Sequence, residues 1–123
     1  MDLVARYLAA VEAADVDAVL ELFAADGVVH SPLYGVRPAS EFYPLLFADT
    51  AESRLTLRRT LRDGDDAIAF WFDFDWTLSD GTPAPFSVVD VAELDADGRI
   101  RDLHIVYDTA PLRAAFDALA SRS

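Results

Sequence analysis

The chain has 123 residues, of which 53% are hydrophobic, enough for one sizeable core, and we take residues 1–123 as one domain. Its 22 acidic residues outnumber 10 basic ones, all arginine, and the net charge of −12 would repel a nucleic-acid backbone and an anionic membrane surface alike. With no cysteine and only two histidines, His30 and His104, disulfides and thiolate metal centres are excluded and a zinc site is not expected.

The opening MDLVARYLAA has neither a basic flank nor an apolar signal core, and no run approaches the ~18 to 20 apolar residues of a membrane helix. The expectation is a soluble, cytoplasmic protein with no nucleic-acid or membrane partner. In chain order, Leu3, Val4, Tyr7, Leu8 and Val11 recur at three- and four-residue spacing and predict an amphipathic helix. Asp15 is placed to cap a second helix in which Val16, Val19, Leu20 and Phe23 repeat until Gly27 breaks the pattern, so the two form a hairpin. GVVHSPLYGVRP then reads as a brief strand and a loop. Ser40 caps a short third helix with Pro44 in its first turn and Phe42, Leu45 and Leu46 on its apolar side.

Beyond Ala51 the pattern changes to strands: Arg54 to Arg62, Ala67 to Ser79, Pro85 to Leu94 and Arg99 to Tyr107, separated by RDGDD, SDGTP and DADG. These predict an antiparallel meander, followed by a last short helix from Ala110 to Leu119 whose Leu112, Phe116 and Leu119 share one face. Helices first and strands afterwards define an α+β class, with helices on one face of a strongly curved antiparallel sheet whose concave side encloses an apolar pocket.

Five side chains stand out chemically. Tyr7 sits on the apolar side of the first helix, where a ring packs its body and offers its hydroxyl to a buried partner. Asp90 interrupts FSVVDVAEL; if it faces inward, desolvation keeps the carboxyl protonated and makes it a hydrogen-bond donor, and if outward it is a solvated acid. Asp73 and Asp75 alternate with Phe70, Phe72, Phe74 and Trp76, the pattern of a strand with one buried face, yet Asp75 could reach a cavity mouth beside Trp71 as a base. His30 and Ser31 end the short strand before Pro32, where a histidine could move protons near neutral pH. His104 is expected to face outward and do nothing.

The succession RYLAAVEAADVDAVLELFAADGVVHSP, SEFYPLLF and VVDVAELDADGRIRDLHIVY resembles the ketosteroid isomerase and SnoaL-like branch of the nuclear transport factor 2-like superfamily over nearly the whole chain. The resemblance implies a cone-shaped, cystatin-like fold, and it sets Tyr7 on the tyrosine that donates to a steroid oxyanion and Asp90 on the protonated aspartate beside it. It also implies a departure, because the isomerase's proton-shuttling aspartate falls on Ser31, whose hydroxyl has no useful basicity at neutral pH. Two functions follow as expectations. One is an isomerase- or cyclase-like enzyme that needs no cofactor and acts through an enolate on a small apolar carbonyl compound. Its catalytic groups would be Tyr7, Asp90 and either His30 or Asp75, in a pocket lined by Ser31, Phe42, Trp71, Phe86, Val88, Leu103, Ile105 and Tyr107. The other is a non-catalytic ligand-binding or interaction domain that keeps Tyr7 and Asp90 as a buried pair. The resemblance further implies a homodimer through the outer sheet face, where Arg58, Arg59 and Arg62 alternate with apolar residues and Val106 joins Val89 or Val91.

Overall fold

The computed structural model describes residues 1–122. Asp2 opens α1 (Leu3–Glu12), its carboxylate accepting the backbone N–H of Ala5 at 2.8 Å and so satisfying one of the donors a helix leaves free at its start. Val4, Tyr7, Leu8 and Val11 form its buried stripe. Asp15 caps α2 (Val16–Leu20) in the same way, accepting from Ala18. This helix is shorter than its apolar spacing predicts, because the N–H of Leu22 turns back to the carbonyl of Val19 and Phe23 begins a strand.

The strands are β1 (Phe23–Ser31), β2 (Gly35–Pro38), β3 (Thr50–Asp63), β4 (Ala67–Leu78), β5 (Phe86–Leu94) and β6 (Ile100–Val106), with α3 (Ala39–Ala48) after β2 and α4 (Ala110–Arg122) at the end. They form one open sheet in the order β2-β1-β6-β5-β4-β3. The meander β3 to β6 is antiparallel as expected. The sheet as a whole is mixed and not antiparallel throughout, since β1 lies parallel to β6, pairing His30 with His104. A parallel pair needs a long crossover, and here β2, α3, β3, β4 and β5 all intervene. Part of the expected loop after Ser31 is β2, which pairs β1 through a turn that Gly35 enters at φ +79°.

Two other boundaries differ from the sequence expectation, the first being the start of β3, which lies at Thr50 and not at Arg54. Helix α3 starts at Ala39 with Pro38 at its cap, so Ser40 lies inside it and Pro44 falls in its second turn, not its first. Strand β4 alternates strictly: Ile68, Phe70, Phe72, Phe74, Trp76 and Leu78 are buried under the helices. Burying each such side chain contributes roughly 1.5–3 kcal/mol, so this one strand supplies much of the drive to fold α1 and α3 onto the sheet. Among the described residues no helix is long and apolar enough to cross a membrane.

Candidate functional site

Between the helices and the concave sheet face lies a narrow cavity that opens to solvent and is lined mostly by apolar side chains. Strand parity builds most of it. On β5, Phe86, Val88 and Asp90 share the inward face; Ile105 on β6 and Tyr107 just past its end do; on β4, Phe72, Phe74 and Trp76 do. The N-terminal helix adds Tyr7 and Val11, α3 adds Phe42 and Leu46, and the turn after β1 adds Ser31, Leu33 and Tyr34. Behind two of these wall residues, Phe116 of α4 lies edge-on to Tyr34 at 5.3 Å and against Trp76 at 6.2 Å.

The polar groups are few and connected. Tyr7 is buried, and its hydroxyl lies 2.8 Å from that of Tyr43, which is fully enclosed one layer behind the cavity wall. The same Tyr7 hydroxyl meets the carboxyl of Asp90. Asp90 itself borders the cavity and is 2% exposed, and its Oδ1 has no protein hydrogen-bond partner. Burial pushes the Asp90 carboxyl well above the usual carboxylate range, against a smaller opposing pull from its hydrogen bond with Tyr7. Burial also raises both tyrosines, Tyr7 with further help from Tyr43 and Asp90, and Tyr43 with help from Asp90 against the opposing Tyr7 bond. Burial thus disfavours the charged form of every group in the cluster, and Tyr7 and Asp90 are the two members that border the cavity.

A second polar pair stands at the β1–β2 turn. The Tyr34 hydroxyl donates to Oδ2 of Asp49 at 2.7 Å; Tyr34 lines the cavity and Asp49, which caps the C-terminal end of α3, does not. Ser31 borders the cavity, but its Oγ accepts the backbone N–H groups of Leu33 and Tyr34 at 3.2 and 3.1 Å and shapes this turn.

Tyr7, Asp90, Ser31, Phe42, Phe86, Val88, Ile105 and Tyr107 thus border one cavity. Four other candidates do not. Trp71 is 45% exposed on the outer sheet face, since it shares parity with Asp73 and Asp75 and not with its phenylalanine neighbours. Asp75 is exposed on that same face, in register with Arg54. Leu103 faces inward but is packed completely into the core. His30 also faces outward, where its Nε2 meets Oδ1 of Asp102 at 3.0 Å and its ring stacks on His104 at 4.3 Å. His104 in turn meets Glu93 at 3.2 Å. Sequence reasoning missed Tyr43 and Tyr34. The only signal for Tyr43 was a tyrosine in the apolar run EFYPLLF, which must find a partner if buried. Among the described residues, no three histidine, aspartate or glutamate side chains converge as metal ligands.

Helices over the concave face of an open, curved sheet around such a cavity define the nuclear transport factor 2-like, or cystatin-like, α+β fold. The chain belongs to the SnoaL-like domain family, whose model matches residues 4–103. Among solved structures it is similar to a protein of ketosteroid isomerase-like fold from Catenulispora acidiphila DSM 44928, solved with trimethylamine. The two are 18% identical with a TM-score of 0.81 over 92% of this chain and 90% of that one. It is also similar to SalBIII, an epoxide hydrolase/cyclase-like enzyme of pyran ring formation in salinomycin (21%, 0.76, 89% and 90%). A Δ5-3-ketosteroid isomerase from Mycobacterium sp. matches at 22%, 0.69, 87% and 91%. At these identities the likeness is one of fold.

Proposed function

We propose that the cavity takes a small, uncharged, mostly apolar molecule with one carbonyl oxygen, and that the protein is an isomerase- or cyclase-type enzyme acting through an enolate. The observation that carries this reading is Asp90, a 2% exposed residue that borders the cavity and whose Oδ1 has no protein hydrogen-bond partner, beside the Tyr7–Tyr43 pair. A buried polar atom without a partner costs about 1–3 kcal/mol, and a ligand oxygen would relieve that cost. Protonated Asp90 and the Tyr7 hydroxyl would both donate to this oxygen, and Tyr43 would hold Tyr7 in place. Donors fixed in a dry site stabilise charge that develops during reaction more than they stabilise the neutral ground state, which is what lowers a barrier. Among the described residues no arginine borders the cavity, which favours a neutral ligand. The fold is shared with isomerases and cyclases, and such chemistry needs no cofactor.

A second reading has its own support. Ser31 stands where a base is needed and its Oγ is already committed to two backbone donors, as suits a non-catalytic ligand-binding domain. The two readings share a first experiment, titration of 4-nitrophenol into wild type and Tyr7→Phe. Enolate stabilisation predicts a bound spectrum shifted toward phenolate and about 10- to 100-fold weaker binding in the variant, the worth of one hydrogen bond to a charged oxygen. Binding with no spectral shift and no dependence on Tyr7 would leave the binding-domain reading standing.

A further inference from the structure

Enolate chemistry needs a group that takes a proton from carbon, and the groups around Asp90 do not supply one. Burial disfavours the charged forms of Asp90, Tyr7 and Tyr43, and the Ser31 oxygen already accepts two backbone N–H groups. His30 and Asp75 lie on the far side of the sheet. A carboxylate does stand one hydrogen bond behind the cavity wall, that of Asp49 behind Tyr34.

We propose that Tyr34 and Asp49 form the proton-accepting relay of this pocket. The proposal rests on the enolate reading above. The substrate's C–H bond breaks and its proton joins the Tyr34 hydroxyl oxygen, while the proton already on that oxygen crosses the 2.7 Å hydrogen bond to Asp49 Oδ2. The electron pair of the broken bond moves to the carbonyl oxygen, which Tyr7 and Asp90 hold. The step ends with a neutral tyrosine, a protonated Asp49 and a bound enolate. Reversing it at another carbon completes an isomerisation.

The local structure suits a relay. Tyr34 is fixed at three points: its N–H donates to Ser31 Oγ, its carbonyl accepts Arg37 Nε at 2.8 Å, and its ring lies edge-on to Phe42 at 5.5 Å and Phe116 at 5.3 Å. The backbone of Asp49 is tied on both sides, its N–H to the carbonyls of Leu45 and Leu46 and its carbonyl to the N–H of Ser79 at 2.8 Å. Burial, then the bond to Asp49, pushes the Tyr34 hydroxyl far above its ordinary value. A standing tyrosinate is therefore ruled out, and the tyrosine can only hand its proton on as it receives another.

The test uses 5-nitrobenzisoxazole, from which a base removes the C3 proton as the N–O bond breaks and a coloured phenolate leaves. Turnover of this probe and affinity for 4-nitrophenol are measured in wild type, Tyr34→Phe, Asp49→Asn and Asp49→Glu, with a thermal melt of each. The relay predicts acceleration by wild type and a loss of about 100-fold or more in kcat for Tyr34→Phe and Asp49→Asn. Nitrophenol affinity and KM should stay within about twofold, because neither residue holds the oxygen. Asp49→Glu should regain part of the rate. Full turnover in either variant, no acceleration by wild type, or melting point, affinity and rate falling together would overturn the relay. Nitrophenol that fails to bind beside turnover that needs Tyr34 and Asp49 would overturn the oxyanion reading and leave the relay intact.

Discussion

A carboxyl group enclosed among aromatic rings is more stable neutral than charged, and Asp90 carries that preference into the stability of the whole fold. It holds its proton more tightly folded than unfolded, where an aspartate titrates near pH ~3.9. Below that pH both states keep the proton and the contribution is fully present. As pH rises toward the raised native value the unfolded chain ionises first, and stability falls by up to ~1.4 kcal/mol per pH unit. Asp102 and Asp73 have the opposite sign: a hydrogen bond from His30 lowers the first, and bonds from Arg58 and Ser87 lower the second. Their stabilisation is lost as pH falls and is common to wild type and Asp90→Asn. Urea denaturation from pH 4 to 8 should therefore show the asparagine variant gaining on wild type as pH rises; a constant gap would mean that Asp90 is ionised in the fold. The inward setting of Asp90 was half legible from its parity with Val88 and Ala92. Apolar Val89 and Val91 on the opposite parity left the choice of face open. Trp71, expected at a cavity mouth beside Asp75, shares parity with Asp73 and Asp75, which places all three on the outer face.

At the scale of elements, the strongly periodic segments were legible and the interrupted ones were not. The alternation of β4 and the spacing of α1 fix those elements locally. Strand β1 opens instead with FAADG, which has no alternation and is strand only because it lies beside β6. Its register shows the irregularity: Phe23 pairs Ile100 and Val28 pairs Asp102, so five steps along β1 match two along β6. Gly27 makes this bulge possible. A Cβ there would stand 2.8 Å from the Phe23 ring and 3.0 Å from the carbonyl oxygens of Ala24 and Ile100. Gly→Ala commonly gains about 0.4–1 kcal/mol by restricting the unfolded chain. Here two of the three close atoms are backbone and have no rotamer to escape into, so overpacking at about 1–3 kcal/mol outweighs that gain. Gly27→Ala should lower the urea midpoint without changing the slope, and a variant as stable as wild type would show that the bulge has room to relax. Tyr34 and Asp49 were illegible for a related reason: they lie 15 residues apart, at a turn and a helix end that meet only after β2 and α3 are in place.

For the whole molecule the outer sheet face poses a different problem, because it leaves Leu61, Trp71, Val89 and Val106 at 60, 45, 37 and 58% exposure. We propose that a second copy of the chain covers it. A chain of net charge −12 repels its own copies over most of its surface. On this face, however, Arg54 and Arg59 lie in register with Asp75 and Trp71, and Arg58 is paired with Asp73. Opposite signs are interspersed there around an apolar hollow formed by Leu61, Ala69, Trp71 and Val89, so two copies meet with the least repulsion and the most apolar area to bury. The cavity opens on the other side of the sheet, so the contact and the pocket can be separated by mutation. Sedimentation equilibrium should give twice the mass of one chain for wild type and one chain mass for Trp71→Glu, which sets a carboxylate in the centre of the contact. The variant should bind 4-nitrophenol as wild type does, because Trp71 does not touch the cavity. Wild type sedimenting as a single chain would overturn the dimer, and a monomeric variant that no longer binds the phenol would show that the pocket depends on the partner.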